Sequence, residues 1–142
     1  MAPVSSTAVG ALPRAAAEED LAARLKKTGY KIVYETYQDD NWELFMIGVD
    51  GSGPVNLTRT PKVNEVHPKV SPDGSKIAFS VDQGEGETTN RTLFYMNSDG
   101  TGRTLVARDA RWPCWSPDAK RIAYVKQEGD RFAYNDGYTK DL

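Results

Sequence analysis

The sequence predicts an all-β chain, a partial β-propeller of about two and three-quarter four-stranded blades with a short N-terminal α-helix. Three observations predict it. Gly29-Tyr-Lys-Ile-Val-Tyr34, Gly74-Ser-Lys-Ile-Ala-Phe79 and Ala119-Lys-Arg-Ile-Ala-Tyr124 align at two successive offsets of 45 residues. The alignment runs backwards through His67-Pro-Lys-Val-Ser-Pro-Asp-Gly74 and Trp112-Pro-Cys-Trp-Ser-Pro-Asp-Ala119, position by position. Each repeat also carries an Asp-Gly pair, at Asp50, Asp99 and Asp136, after an apolar run. A unit of this length with several short strands cannot bury its own sheet faces. It has to stack on its neighbours.

The elements follow in chain order. Residues 1–13 are rich in Ala, Pro, Ser, Thr and Val. They lack the basic cluster and apolar core of an intact signal peptide and read as a flexible arm. Over 14–28 the alanines favour helix, Glu18, Glu19 and Asp20 sit early, Lys26 and Lys27 late, and Gly29 follows. Leu21 and Leu25 share one face, so the helix is expected to pack on the adjoining domain.

Residues 29–142 are the repeats: blade 1 over about 29–58, blade 2 over about 64–107, and blade 3 over about 110–142. Strands are predicted at 30–36, 42–49 and 55–58 in the first copy and at 66–70, 75–82, 91–97 and 103–107 in the second. The third copy offers 111–115, 120–126, 131–135 and a fourth-strand stub over 138–142. Ile77, Phe79 and Val81 alternate with Ala78 and Ser80, both sets small or apolar, as a strand covered on two faces requires. Ser71-Pro-Asp-Gly74 is turn chemistry, since Pro72 fixes φ, Asp73 accepts from nearby N–H groups and Gly74 tolerates positive φ. Ala119 replaces that glycine in the third copy, so there either the turn differs or strain is tolerated. Ile32, Ile77 and Ile122 should take equivalent places on successive sheets.

The chain has 142 residues, 27% of them charged, with a net charge of -2, which disfavours binding driven by phosphate neutralisation. No apolar run reaches the roughly 20 residues of a membrane-spanning helix. A single cysteine, Cys114, and a single histidine, His67, exclude an internal disulfide and multi-histidine or multi-cysteine metal cages. There is no Gly-x-Ser-x-Gly elbow, and His67 occupies a repeat position matched by Trp112, so no catalytic residues and no enzymatic activity are expected. Gly51-Ser-Gly53 has no Lys after it and reads as a hairpin turn, not a phosphate loop. Asp82, Glu85 and Glu87 could offer oxygen ligands to calcium, but solvated loop charges are the simpler reading, and no metal or cofactor is expected. Asn56-Leu-Thr58 and Asn90-Arg-Thr92 fit the glycosylation pattern, which has meaning only in a eukaryotic secretory route.

Chain direction places two sets of loops on one rim. One set carries Asp39, Asp40, Asp82, Glu85, Glu87, Glu128 and Asp130, the other Arg59, Lys62, Arg108 and Arg111, in loops expected to be long. Acidic and basic loops alternate there, with Trp42 and Trp112 as aromatic anchors or as packing between blades. The channel residues Glu65, His67, Asp109 and Arg111 extend this partner-binding set, which also offers a place for calcium or a small molecule.

At Pro113-Cys-Trp-Ser-Pro-Asp118 and Ser71-Pro-Asp-Gly-Ser-Lys-Ile-Ala-Phe79 the chain resembles the TolB-type (WD40-like) β-propeller repeat family, over about Gly29 to Leu142. Val70 stands where that family usually has an aromatic. The resemblance implies a non-catalytic module for protein–protein interaction or structural support in a larger assembly, periplasmic or extracellular, whose type member binds a lipoprotein. The same repeat builds the propellers of prolyl-oligopeptidase-like and tricorn-like peptidases, so a peptidase portion is the alternative. Too few blades are present to close a ring, so the chain is expected to be a piece of a longer propeller, to associate with itself, two copies giving close to six blades, or to dock into a larger assembly that covers its ends.

Overall fold

The computed structural model describes residues 14–84, 90–128 and 131–142, with backbone alone at 14–19 and 127–140. Helix α1 (Arg14–Thr28) precedes β1 (Lys31–Gln38), β2 (Asn41–Gly48) and β3 (Val55–Asn56). Next come β4 (Asn64–Val70), β5 (Lys76–Gln83), β6 (Asn90–Asn97) and β7 (Thr104–Arg108). The last three are β8 (Ala110–Trp115), β9 (Arg121–Glu128) and β10 (Arg131–Asp141). They form three antiparallel sheets ordered β1-β2-β3, β4-β5-β6-β7 and β8-β9-β10, an open partial β-propeller.

The repeat explains the stacking. Ile77, Phe79, Val81 and Met96 of the middle sheet are buried against Leu44 and Leu57 of the first, with Val33 and Met46 packed beside them. The opposite face of the middle sheet, Ala78 and Leu93, is buried with Ala110, Trp115 and Ile122 of the third. β5 is therefore covered on both faces, which is why its two alternating residue sets are both small or apolar. Ile77 and Ile122 each face the preceding sheet and are wholly buried, whereas Ile32, at the same repeat position, is 48% exposed. Residue type is constant, so the difference lies in the neighbour: no described sheet precedes β1.

The Ser-Pro-Asp turns are the same in both copies. Gly74 N–H donates to Ser71 O and Ala119 N–H to Ser116 O, each at 2.9 Å. Ser71 and Ser116 hydroxyls donate to Asp73 and Asp118, each at 2.6 Å. Ala119 adopts φ 58°, so the third copy keeps the turn and carries left-handed strain on a Cβ-bearing residue.

Three expectations are corrected. In the described side chains of α1, Leu21 is 53% exposed and only Leu25 is partly buried, so the helix does not pack its apolar face on the sheets. Its end is capped as the composition suggests, with Gly29 at φ 68° and the Thr28 hydroxyl donating to Leu25 O at 2.7 Å. The stub over 138–142 is not a fourth strand: Tyr138–Asp141 continues β10 and pairs with β9. Asp136-Gly137 is accordingly not a reversal, because the register shift between Phe132 and Gly137 absorbs the extra residues as an irregularity within one strand. Finally, the rim connections are mostly short. Asp39 and Asp40, both at positive φ, make a two-residue turn between Gln38 and Asn41, and Asp109 alone separates β7 from β8.

Candidate functional site

The predicted rim residues divide into an exposed outer set and a packed inner set. Asp39, Asp40, Trp42, Arg59, Lys62, Arg108 and Asp109 are exposed. His67, Arg111 and Trp112 are partly buried, and Glu65 is fully buried.

The inner set sits where β4 and β8, the first strands of adjacent sheets, come together. Each has a register shift at the same repeat position, between Val66 and Lys69 and between Arg111 and Cys114. His67 and Trp112 occupy these irregularities with φ 57° and 54°. Their rings meet edge to face with centroids 6.4 Å apart, and the Arg111 guanidinium lies 6.0 Å from the Trp112 ring. Arg111 also donates to the Asp82 carboxylate in an ion pair that joins the second and third sheets. The His67 N–H donates to a carboxylate oxygen of Glu35 on β1, which joins the first and second. Burial lowers the His67 pKa below its ordinary value, with Arg111 and Lys69 acting in the same direction and Glu35 and Asp82 opposing it.

Three sequence readings change here. Asp82 is a partly buried residue of β5, held by Arg111, and not a loop charge. Its suggested calcium companions, Glu85 and Glu87, lie outside the described residues, as do Glu128's side chain and Asp130. Glu65 cannot present itself to a partner, because it is buried and bonded to Arg103 at 3.0 Å. Burial raises its pKa and the Arg103 charge opposes that rise. Trp112 serves as packing between first strands, while Trp42 is 39% exposed and pairs edge to face with Tyr37, itself 58% exposed, at 5.6 Å.

The outer set is positioned by a group that composition does not reveal. Arg59 and Lys62 lie in the connection from β3 to β4, both at positive φ. Buried Glu43 on β2 gathers that connection: one oxygen accepts from Thr60 N–H and Asn41 Nδ2, each at 3.0 Å, the other from the Thr58 hydroxyl at 2.6 Å. Burial would raise the Glu43 pKa, but the hydrogen bonds from Thr58, Asn41 and Asn56 outweigh it and hold the carboxyl below its ordinary value. Asn41 Nδ2 reaches on to Thr60 O and Val63 O at 3.2 and 3.1 Å, and Asn64 Oδ1 accepts from Trp42 N–H at 2.9 Å. An Asn-x-Glu on a strand has no turn or cap signature. Its partners lie up to 22 residues away in sequence.

Of the eight Cβ-bearing residues at positive φ among the described residues, seven are Asp39, Asp40, Arg59, Lys62, His67, Asp109 and Trp112, all among the predicted rim residues or the loops that carry them. Such conformations cost about 1–3 kcal/mol each and persist where packing over-determines them. Hydrogen bonds from Thr58 and Thr60 to Glu43 hold the connection that carries Arg59 and Lys62, and His67 packs on Trp112. On this rim the Asp39-Asp40 turn joins the strands that carry the exposed Tyr37–Trp42 pair, and Arg59, Lys62 and Arg108 are exposed in or beside the connections that follow. Among the described residues no group of three or more metal-ligating side chains is gathered, and no helix is long and apolar enough to cross a membrane.

No family model matches the chain. It is similar to a protein TolB homolog of Chlorobaculum tepidum, 39% identical over 120 residues, covering 82% of this chain and 26% of that protein. It is also similar to dipeptidyl-peptidase 5 of Porphyromonas endodontalis, 38% identical over 61 residues, 39% of this chain and 9% of the peptidase. Among solved structures it resembles a TolB from Agrobacterium tumefaciens, with TM-score 0.63 and 19% identity over 81% of this chain and 43% of that one, a likeness of fold. The chain spans about a quarter or less of the curated relatives it matches.

Proposed function

The repeats of this chain are TolB-type β-propeller repeats, and from that premise we propose that it is a non-catalytic recognition module within a larger assembly, periplasmic or extracellular. Its protein partner docks on the rim that carries Asp39, Asp40, Trp42, Arg59, Lys62, Arg108 and Asp109. One observation carries the reading: exposed charges at Asp39, Asp40, Arg59, Lys62 and Asp109 stand in left-handed turns and connections, and the Asp39-Asp40 turn joins the two strands that present the exposed Tyr37–Trp42 pair. A preorganised surface spends little ordering entropy on binding, and an exposed aromatic ringed by charge is how interface anchors are built. The inner cluster of His67, Arg111 and Trp112 supports that surface from below.

The peptidase-portion reading has the weaker footing, because the peptidase relative matches 39% of this chain where the TolB homolog matches 82%.

The test uses the full chain and the soluble domain of a lipoprotein of the kind that the family resemblance supplies. Calorimetry should show binding that weakens at least tenfold in Trp42→Ala and loses salt dependence in Lys62→Glu. Binding equal in all three proteins, or none at all, would refute the rim as the docking surface.

A further inference from the structure

Between the first and second sheets lies a cavity of about 460 Å³, lined by Tyr30, Val33, Met46, Val70, Ile77 and Asp99 among others. Its origin can be read from the repeat. At the next junction, between the second and third sheets, the corresponding positions are Ala78 for Val33, Tyr95 for Met46, Trp115 for Val70 and Ile122 for Ile77. Trp115 fills that junction. It is 9% exposed, its ring meets Tyr95 edge to face at 6.5 Å, and its Nε1–H donates to Lys69 O at 2.8 Å. Val70 is 45% exposed and far too small for the same task. The first junction thus keeps the apolar walls of an indole site without the indole.

A second feature keeps the space open. Lys69, whose carbonyl receives the Trp115 indole, belongs to β4, the strand that flanks β5. β1, the counterpart of β5, is paired on one edge only, by β2. Among the described residues no strand supplies β1 with a counterpart of the carbonyl that receives the indole at the next junction.

We infer that this cavity is a binding site for a small planar aromatic molecule of indole size. Its volume falls in the roughly 300–1,000 Å³ range of small-molecule sites. Apolar cavities that side chains cannot collapse into hold small aromatic molecules, because water gains too few polar partners there. Collapse is resisted here by the sheets themselves, whose separation is set by Leu44, Phe79 and Val81 nearby. The ligand class follows from the same geometry occupied by Trp115 one repeat later, with aliphatic walls above and below a ring.

Indole itself is the probe, added to the full chain. Saturation-transfer NMR and calorimetry should show saturable binding at micromolar to millimolar concentrations, and indole should raise Tm. Val70→Trp supplies the ring internally, so it should weaken indole binding at least tenfold and raise Tm without ligand. Val70→Phe should move both quantities the same way by less, and it decides the matter if Val70→Trp fails to fold. Trp42→Ala, which removes the exposed aromatic pair on the rim, should bind indole as the parent does. The inference is overturned if indole shows no saturable binding up to its solubility, if both Val70 variants bind it unchanged, or if Trp42→Ala abolishes binding.

Discussion

The three isoleucines of the repeat make a controlled experiment on sheet stacking. Ile→Ala removes three carbons, about 2.4 kcal/mol of transfer free energy at ~0.8 kcal/mol per buried CH₂. Ile122 is wholly buried between sheets, so its truncation leaves an enclosed void, and Ile77, also wholly buried, borders the cavity at the first junction, which its truncation enlarges; each total should fall within the range of about 2–5 kcal/mol. Ile32 is 48% exposed and faces no described sheet, so about half the transfer term, roughly 1.2 kcal/mol, is at stake and no void is enclosed. The assay is equilibrium urea unfolding of the full chain followed by circular dichroism and by tryptophan fluorescence, with the m-value checked for constancy. Ile77→Ala and Ile122→Ala should each lose at least twice what Ile32→Ala loses. Equal losses at all three positions would mean that Ile32 is as enclosed as its counterparts, and negligible loss at Ile77 would mean that the sheets are not pressed together there.

Glu43→Ala removes a buried acceptor of three hydrogen bonds and should cost about 2–4 kcal/mol, with Arg59 and Lys62 losing order; thermal unfolding together with backbone NMR of the 57–63 connection checks both effects. Gly100→Ala should cost more than Gly51→Ala. Both glycines have positive φ, but a Cβ at Gly100 would sit 2.8 Å from Leu57 O of the neighbouring sheet, while that at Gly51 meets nothing within 4 Å; calorimetric Tm values compare them directly. Acidification should weaken the fold in two stages. Because the folded pKa of His67 lies below its ordinary value of 6.5, its contribution is complete above that value and is lost as pH falls toward the folded pKa. Asp50, Asp73, Asp99 and Asp118, held below their ordinary value of 3.8 by Ser and Thr hydroxyls, keep their contribution above that value and lose it as pH falls further. Glu65, whose pKa is raised, partly offsets the loss around pH 4.5. His67→Gln should remove the first stage alone, as read by urea unfolding across the pH range.

What could be read from the sequence was whatever the repeat writes twice. The 45-residue offset placed β5 and β9 in equivalent strands, and the doubly apolar run from Ile77 to Val81 placed β5 in the interior, because local alternation and turn chemistry alone decide those features. The Ala119 turn follows its glycine-bearing copy because the bonds that Asp118 accepts from Ser116 and Lys120, and that Ser116 O accepts from Ala119, outweigh the φ penalty. Features depending on contacts between distant residues were not legible. Nothing local distinguishes Asp39-Asp40 from a solvated loop until Gln38 and Asn41 are seen paired. Glu65 looks like a surface carboxylate until Arg103 is found beside it, and Asp82 until Arg111 crosses the junction. For α1, two leucines on one face promised packing that the described contacts do not supply. Asp136-Gly137 carried turn chemistry, but pairing of Tyr138–Asp141 with β9 left it inside a strand.

The account rests on sheets stacked in series, the middle one covered on both faces and paired on both edges of β5, and the first, among the described residues, covered on one face and with β1 paired on one edge. Residue-resolved hydrogen exchange on the full chain measures this strand by strand. β5 amides should be the slowest to exchange, and the β1 amides that do not point toward β2 should exchange orders of magnitude faster. Protection of β1 equal to that of β5 would contradict the arrangement.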